Sequence, residues 1–153
     1  MLVKQLLSMK STSGKPGIEA QTMLTIRADA TLGDAVALLA KYGVGAVVVS
    51  DDGRVPQGIL SERDVVHQLG THGPGVLSQP VGQVMTQSVQ TCTMGDDALD
   101  ILERMTHGRF RHMPVVDDTG AMLGVVSIGD AVSGRLKELA AEKEALTGMI
   151  MGS

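Results

Sequence analysis

The sequence predicts an α+β fold in which two pseudo-symmetric β-α-β-β-α repeats pack through their sheets and are followed by a long C-terminal helix. An internal repeat and, within each copy, hydrophobic spacing that switches between helix and strand periods support this prediction. The composition supplies an aliphatic core, because 43% of the 153 residues are hydrophobic and Tyr42 and Phe110 are the only aromatic residues. A chain of this length fits one compact unit in which two small repeats share a core.

The repeat needs no gap when the sequence is shifted by 66 residues, the separation of Asp34 from Asp100. Polar and glycine positions coincide between the copies: Asp51-Asp52 with Asp117-Asp118, Gly58 with Gly124, Ser61 with Ser127, and Asp64 with Asp130. Apolar positions coincide as well: Val36 with Leu102, Leu39 with Met105, and Val44 with Phe110. Two copies are too few for a solenoid, so we expect a pair that buries one shared face.

Each copy contains the same succession of predicted elements. The first copy contains, in order, a β-prone run (Thr22 to Ile26), a helical stripe (Leu32, Ala35, Val36 and Leu39), a β-branched run (Val47 to Val49), a returning strand (Gly58 to Leu60) and a helix that begins at Ser61. Asp51-Asp52-Gly53 between the two later strands is a turn signal, and Asp117 to Gly120 takes its place in the second copy. Cys92 lies in the predicted first strand of the second copy.

Helix-breaking residues divide the chain into four parts. We expect an N-terminal segment (1–17), a first repeat (18–73, its last helix ending near Gly70), a second repeat (74–136) and a helical extension (137–153). Apolar residues follow a 3-4 spacing along the last helix, interrupted by Lys143: Val132, Leu136, Leu139, Leu146 and Ile150. A stripe of this length predicts a partner helix, and we expect a homodimer.

The most informative motif is Ser-x-x-Asp at a strand-to-helix junction, present as Ser61 to Asp64 and again as Ser127 to Asp130. One interpretation is a capping box, in which the hydroxyl and the carboxylate satisfy free backbone N–H groups. The other is a nucleotide site, because the positive helix N-terminus attracts a phosphate and a carboxylate can accept hydrogen bonds from the two ribose hydroxyls. The sequence leaves both interpretations open.

Each copy contains a strand, the sequence Gly-h-h-Ser-x-x-Asp (h is apolar) and a helix, in that order. This order, present twice, resembles a tandem cystathionine-β-synthase (CBS) domain pair, or Bateman module, of the stand-alone bacterial type. The passages Tyr42 to Val49 and Gly108 to Asp117 resemble the helix-to-strand passages of first and second CBS repeats. The resemblance covers Thr22 to Leu136 and implies a non-catalytic sensor for adenosine-containing ligands, namely AMP, ADP, ATP or NAD. S-adenosylmethionine, or a structural homodimer with an unoccupied cleft, is the alternative.

The resemblance also implies roles for individual residues. Asp64 and Asp130 would hold ribose, with Ser61 and Ser127 near phosphate. Arg63, Arg111 and His112 would hold phosphates, and Val44, Gly45, Ala46 and Phe110 would line the base. Gly129 stands where the first copy has Arg63, so the two sites should differ in phosphate preference.

Composition argues against other function classes. A net charge of −4 without a Lys/Arg cluster argues against nucleic acid as a partner. We expect no membrane span, no secretory signal and a cytoplasmic location. Cys92 is the only cysteine and is expected to be a buried, unreactive thiol. We predict no metal site and no catalytic group. Because no effector domain is evident, we expect the output to be an unidentified effector protein, the shape of the dimer, or buffering of the ligand alone.

Overall fold

The computed structural model of the chain describes residues 1–11 and 24–150. The helices are α1 (Val3–Ser11), α2 (Leu32–Tyr42), α3 (Glu62–His72), α4 (Val81–Val84), α5 (Ala98–Gly108) and α6 (Ile128–Ile150), with a 3₁₀ helix at Pro74–Ser78. The strands are β1 (Thr25–Ile26), β2 (Ala46–Val49), β3 (Gly58–Ser61), β4 (His112–Val116) and β5 (Met122–Ser127). The expected α+β class, the two repeats and the long C-terminal helix are confirmed.

Each repeat carries a small sheet. In the first, β1 pairs in parallel with β2, and β2 pairs antiparallel with β3. In the second, β4 and β5 form an antiparallel pair. The strand predicted around Cys92 is reduced to a single parallel bridge from Cys92 to Val115. Of the run predicted from Thr22 to Ile26, only Thr25 and Ile26 form a strand, and its first two residues lie outside the described part of the chain.

The buried side chains form two clusters instead of one shared core. One cluster joins α2, β2, β3 and α3 of the first repeat to Val76 and Val81 of the segment between the repeats. The other joins α5, β4, β5 and α6 of the second repeat to Val3 and Leu6 of α1. Each repeat is therefore completed by a segment that lies outside its own β-α-β-β-α unit, which is how two units this small obtain sufficient cores.

The two completing segments make equivalent backbone contacts. Leu32 N–H donates to the Gln79 carbonyl at 2.9 Å, as Ala98 N–H donates to the Met1 carbonyl at 2.8 Å. The N–H of Val81 bonds Ala30 O just as the N–H of Val3 bonds Asp96 O. The pseudo-symmetry of the repeats thus extends to the segments that cover them, and the sequence repeat does not reveal it.

The last helix of the first repeat continues past its expected end near Gly70: α3 runs through Thr71 to His72, and Gly73 caps it at φ 77°. Helix α6 extends to Ile150, with its distal apolar side chains in solvent, including Leu136 (61% exposed), Leu146 (59%) and Ile150 (82%). The boundary expected after residue 17, at the end of the N-terminal segment, lies outside the described residues.

Candidate functional site

A cleft of about 550 Å³ lies between the two repeats. The first repeat contributes one wall: Gly45, Ile59, Ser61, Glu62, Arg63 and Asp64. The second contributes the opposite wall: Gly108, Arg109, Phe110, Arg111 and His112. The connecting segment supplies Thr86, Ser88, Val89 and Gln90. A cavity of this size is in the range that accommodates a small organic ligand.

The connecting segment is held against the first repeat by a reciprocal pair of backbone hydrogen bonds. Ile59 N–H donates to the Thr86 carbonyl at 3.0 Å, and Thr86 N–H donates to the Ile59 carbonyl at 2.9 Å. Gly58 permits this approach, because a Cβ at that position would meet the Met85 side chain and lie 3.0 Å from the Thr86 carbonyl oxygen. The segment then reaches Cys92, whose N–H donates to the Pro114 carbonyl, so it spans both repeats at the cleft.

The Ser-x-x-Asp motif forms a capping box in both copies. Ser61 N–H donates to Asp64 Oδ2 at 2.9 Å, and Asp64 N–H donates to Ser61 Oγ at 3.2 Å. Ser127 and Asp130 repeat the arrangement at 2.8 and 3.2 Å. The capping interpretation is therefore confirmed. It is compatible with ligand binding, because the cap of Asp64 uses Oδ2 and Oδ1 takes no part in it.

Two glycines shape the walls of the cleft. The His112 imidazole packs on Gly45 across the repeat boundary, and a Cβ on Gly45 would lie 3.2 Å from His112 Nε2. The Phe110 ring lies so close to Gly108 that a Cβ there would clash with it. Phe110 packs partly against the core of the second repeat and also lines the cleft, so its position is fixed by packing.

Cations outnumber acids among the described residues that line the cleft. The lining includes three arginines (Arg63, Arg109 and Arg111) and His112, against two carboxylates (Glu62 and Asp64). The whole chain carries a net charge of −4, so the cleft differs in sign from the rest of the protein. Such a cleft favours an anionic ligand.

The cleft brings together seven of the eleven residues singled out from the sequence: Gly45, Ser61, Arg63, Asp64, Phe110, Arg111 and His112. The other four, Val44, Ala46, Ser127 and Asp130, do not line it. Val44 packs against the core of the first repeat, and Ala46 is paired in β2 with Ser61. Ser127 and Asp130 form the equivalent capping box at the start of α6, and they are not among the residues that line this cleft.

Sequence reasoning did not single out eight of the residues that line the cleft: Ile59, Glu62, Thr86, Ser88, Val89, Gln90, Gly108 and Arg109. The 66-residue shift places Ser88 on Thr22, at the start of the run predicted as the first strand. That alignment marks Ser88 to Gln90 as the segment that enters the second repeat. It does not indicate which surface the segment faces, because the reciprocal bonds with β3 cross between the repeats.

Other chemistry finds little support in the part of the chain that the structure describes. Across residues 1–11 and 24–150, no three His, Cys, Asp or Glu side chains are grouped so that they could hold a metal ion. Within those residues, no helix combines the length and the apolar character that a membrane span requires. Cys92 is buried at 2% exposure, and burial raises the pKa of its thiol to about 12.

A family model for the CBS domain matches residues 19–70 and 81–136, which is most of the chain. The chain belongs to the CBS-domain family. The crystal structure of the CBS-domain containing protein ATU1752 from Agrobacterium tumefaciens is 35% identical, with a TM-score of 0.76 over 88% of this chain and 99% of that one. The CBS pair therefore accounts for nearly the whole of that neighbour.

Two further CBS proteins bear on the comparison. The CBS domain-containing protein CBSX3, mitochondrial, from Arabidopsis thaliana is 36% identical over 128 residues, 81% of this chain, and this chain spans only 62% of its length. The CBS domain protein PAE2072 from Pyrobaculum aerophilum was solved in complex with AMP. It is 24% identical, with a TM-score of 0.68 over 85% of this chain and 89% of that one, a likeness that concerns the fold.

Proposed function

We propose that this CBS pair is a regulatory module that binds an adenine nucleotide (AMP, ADP, ATP or NAD) in the cleft and has no catalytic activity of its own. CBS pairs are regulatory, and the PAE2072 pair binds AMP. The observation that carries the proposal is the juxtaposition of a capped carboxylate, Asp64, with three arginines in one cleft. These groups match the two polar ends of a nucleotide.

Asp64 is the residue proposed for the ribose. The capping box fixes its carboxylate at the N-terminus of α3, with Oδ2 engaged by Ser61 N–H. A fixed carboxylate can accept hydrogen bonds from the vicinal 2′- and 3′-hydroxyls, and such charge-assisted bonds are stronger than neutral ones. The cap therefore orients the group that the ligand would use.

The arginines are the residues proposed for the phosphate. An arginine can form paired hydrogen bonds with a phosphate, and the N-terminus of α3 presents the positive end of its helix dipole at the cleft. This surplus of cations also separates the candidate ligands, because S-adenosylmethionine carries a sulfonium cation where AMP carries a phosphate. We therefore rank the nucleotides above S-adenosylmethionine.

The adenine would occupy the apolar part of the cleft. Phe110, Ile59 and Val89 supply apolar surface, and Phe110 is the only aromatic residue available there. An aromatic ring held in place by packing offers a face to a planar base. The backbone of the connecting segment lies alongside and can recognise the base edge.

The same proposal includes how ligand binding is passed on to other molecules. A homodimer is supported by the exposed apolar stripe on α6. Ligand binding would then act through the shape of that dimer or through an unidentified effector protein. A cytoplasmic location is supported by the lone, unpaired thiol of Cys92.

The proposal is tested by thermal shift with AMP, ADP, ATP, NAD, S-adenosylmethionine and adenosine at matched concentrations. A ligand present at 100 times its Kd stabilises the folded state by about 2.7 kcal/mol. For a chain of this size, that corresponds to a rise in Tm of roughly 5–10 °C. Stabilisation by phosphate-bearing ligands supports the proposal. A larger shift with S-adenosylmethionine would favour the alternative sensor, and no shift with any of them would favour a structural homodimer with an unoccupied cleft.

A further inference from the structure

The connecting segment crosses the cleft without burial in a core and without strand pairing. No side chain from Gln87 to Thr91 is buried, and these residues belong to no helix or strand. Residues 88–90 nevertheless line the cleft. Backbone hydrogen bonds attach the segment to the repeats at Thr86 and at Cys92, on either side of these residues. A further contact must therefore fix the path of the chain between those two points.

The two repeats differ here in their sheets. In the first repeat, β1 pairs in parallel with Val48 and Val49 of β2. In the second repeat, Pro114 takes the place of Val48, and a single bridge joins Cys92 to Val115. Because proline has no backbone N–H, β4 lacks the donor that would continue the parallel ladder from Cys92 toward the cleft. The pairing that holds β1 in the first repeat is therefore not available to the connecting segment.

Arg104 of α5 supplies hydrogen bonds to the segment instead. Its Nη2 donates to the Thr91 carbonyl at 2.8 Å and to Gln90 Oε1 at 3.4 Å. Among the described residues, Arg104 is the only group outside residues 87–91 that hydrogen-bonds to them. The first repeat has Leu38 at the equivalent position, where it packs against the core. A repeat of this fold therefore does not require an arginine here, and Arg104 serves the segment that crosses the cleft.

The segment that Arg104 holds offers backbone groups to the cleft. The backbone N–H and C=O groups of Ser88 and Gln90 make no hydrogen bond within the described part of the chain. Donors and acceptors held in fixed positions can distinguish two bases, since adenine carries an amino group and an acceptor nitrogen where hypoxanthine carries an oxygen and an N–H. Helix α5 also leads into Phe110, so Arg104 ties the segment to the helix that positions this ring.

We infer that Arg104 is a positioning residue of the cleft, which holds the backbone of Ser88 to Gln90 where that backbone selects the base of the ligand. The inference rests on the proposed function and adds a determinant of base specificity to it. Arg104 does not itself line the cleft, so it acts through the segment. Without its hydrogen bonds the segment would no longer be fixed, and the cleft would bind different bases with more similar affinities.

The test is calorimetric titration of wild type, Arg104→Leu and Arg104→Lys with AMP and with inosine 5′-monophosphate (IMP), which carries hypoxanthine in place of adenine. Wild type should bind AMP at least about fivefold more tightly than IMP. Arg104→Leu, which introduces the residue of the first repeat, should lower this ratio of affinities at least about threefold, since one hydrogen bond contributes roughly two- to twelvefold. Arg104→Lys can still donate to the Thr91 carbonyl and should keep part of the preference. Arg104→Met serves as a second variant without a donor if the leucine variant is poorly folded.

Arg135→Leu is the matched control. Arg135 has the same side-chain exposure as Arg104 (31%) and forms an ion pair with Glu138 at 3.5 Å. It lies on α6 and does not line the cleft. Its replacement should leave the ratio of the AMP and IMP affinities unchanged.

The outcomes separate the inference from the proposed function. If wild type binds neither nucleotide, the proposed function is wrong, and the role of Arg104 is wrong with it. If wild type binds AMP but does not prefer it to IMP, or if Arg104→Leu lowers the ratio less than about threefold, only the role of Arg104 is wrong. Equal weakening of AMP and IMP binding would show a structural role and would also overturn the inference, as would an equal fall of the ratio in Arg135→Leu.

Discussion

Replacing Asp64 with Asn separates the two tasks assigned to this carboxylate. The side-chain oxygen of Asn can still accept a hydrogen bond from Ser61 N–H, which now bonds Asp64 Oδ2 at 2.9 Å. The capping contribution should therefore fall by only a few tenths to about 1 kcal/mol. The ribose contact loses its charge and one acceptor oxygen. Hydrogen bonds to charged groups contribute about 1.5–3 kcal/mol, so AMP affinity should fall roughly 10- to 150-fold.

Asp130→Asn is the matched control. It alters the same capping box, with the corresponding bond to Ser127 at 2.8 Å, yet Asp130 does not line the cleft. Both variants should lose similar stability in urea denaturation, and only Asp64→Asn should weaken AMP binding at the cleft in calorimetric titration. If Asp64→Asn binds AMP within about twofold of wild type, Asp64 is a cap and nothing more.

Four further outcomes are expected. Cys92 should react with a thiol reagent in the native protein far more slowly than in urea, since burial raises its pKa to about 12, and equal rates would contradict its buried placement. Leu6→Ala should lower the free energy of unfolding, measured by urea denaturation, by about 2–5 kcal/mol, because Leu6 is buried in the core of the second repeat. A decrease of less than about 1 kcal/mol would show that α1 is dispensable. Sedimentation should give a dimer at tens of micromolar that is weakened by Leu139→Glu, and a wild-type monomer would refute the homodimer. Backbone N–H groups of Val55 and Arg54 lower the pKa of Asp52 from 3.8 to about 2. The ionised Asp52 carboxylate therefore stabilises the folded state above about pH 4, and this stabilisation is lost as the pH falls toward 2. Between these pH values, the free energy of unfolding of Asp52→Asn should decrease less than that of wild type.

The fold was predictable because the repeat and the local signals agree. The helical stripe from Leu32 to Leu39, the β-branched run in β2 and the turn at Asp52 each specify one element. Asp52 illustrates this, since its carboxylate accepts the N–H groups of Arg54 and Val55 as a turn-forming Asp does. The capping boxes were also readable, since a cap depends on residues three positions apart.

Features that depend on contacts between distant segments were not predictable. Helix α1 completes the second repeat through Leu6, which packs where Gly134 on α6 leaves room, and the 66-residue repeat gives no sign of that contact. Arg104 escaped notice because its contact with the connecting segment is visible only in the structure. Sequence symmetry equates Ser127 and Asp130 with Ser61 and Asp64, and only the contacts in the structure show that Ser61 and Asp64 line the described cleft.

A crystal structure of the protein grown with AMP tests most directly whether the cleft binds a nucleotide. We expect AMP in the cleft between the repeats, with its ribose hydroxyls within hydrogen-bond distance of Asp64 and its phosphate among Arg63, Arg109 and Arg111. Density for AMP elsewhere on the protein, or an AMP whose phosphate points away from the three arginines, would contradict it.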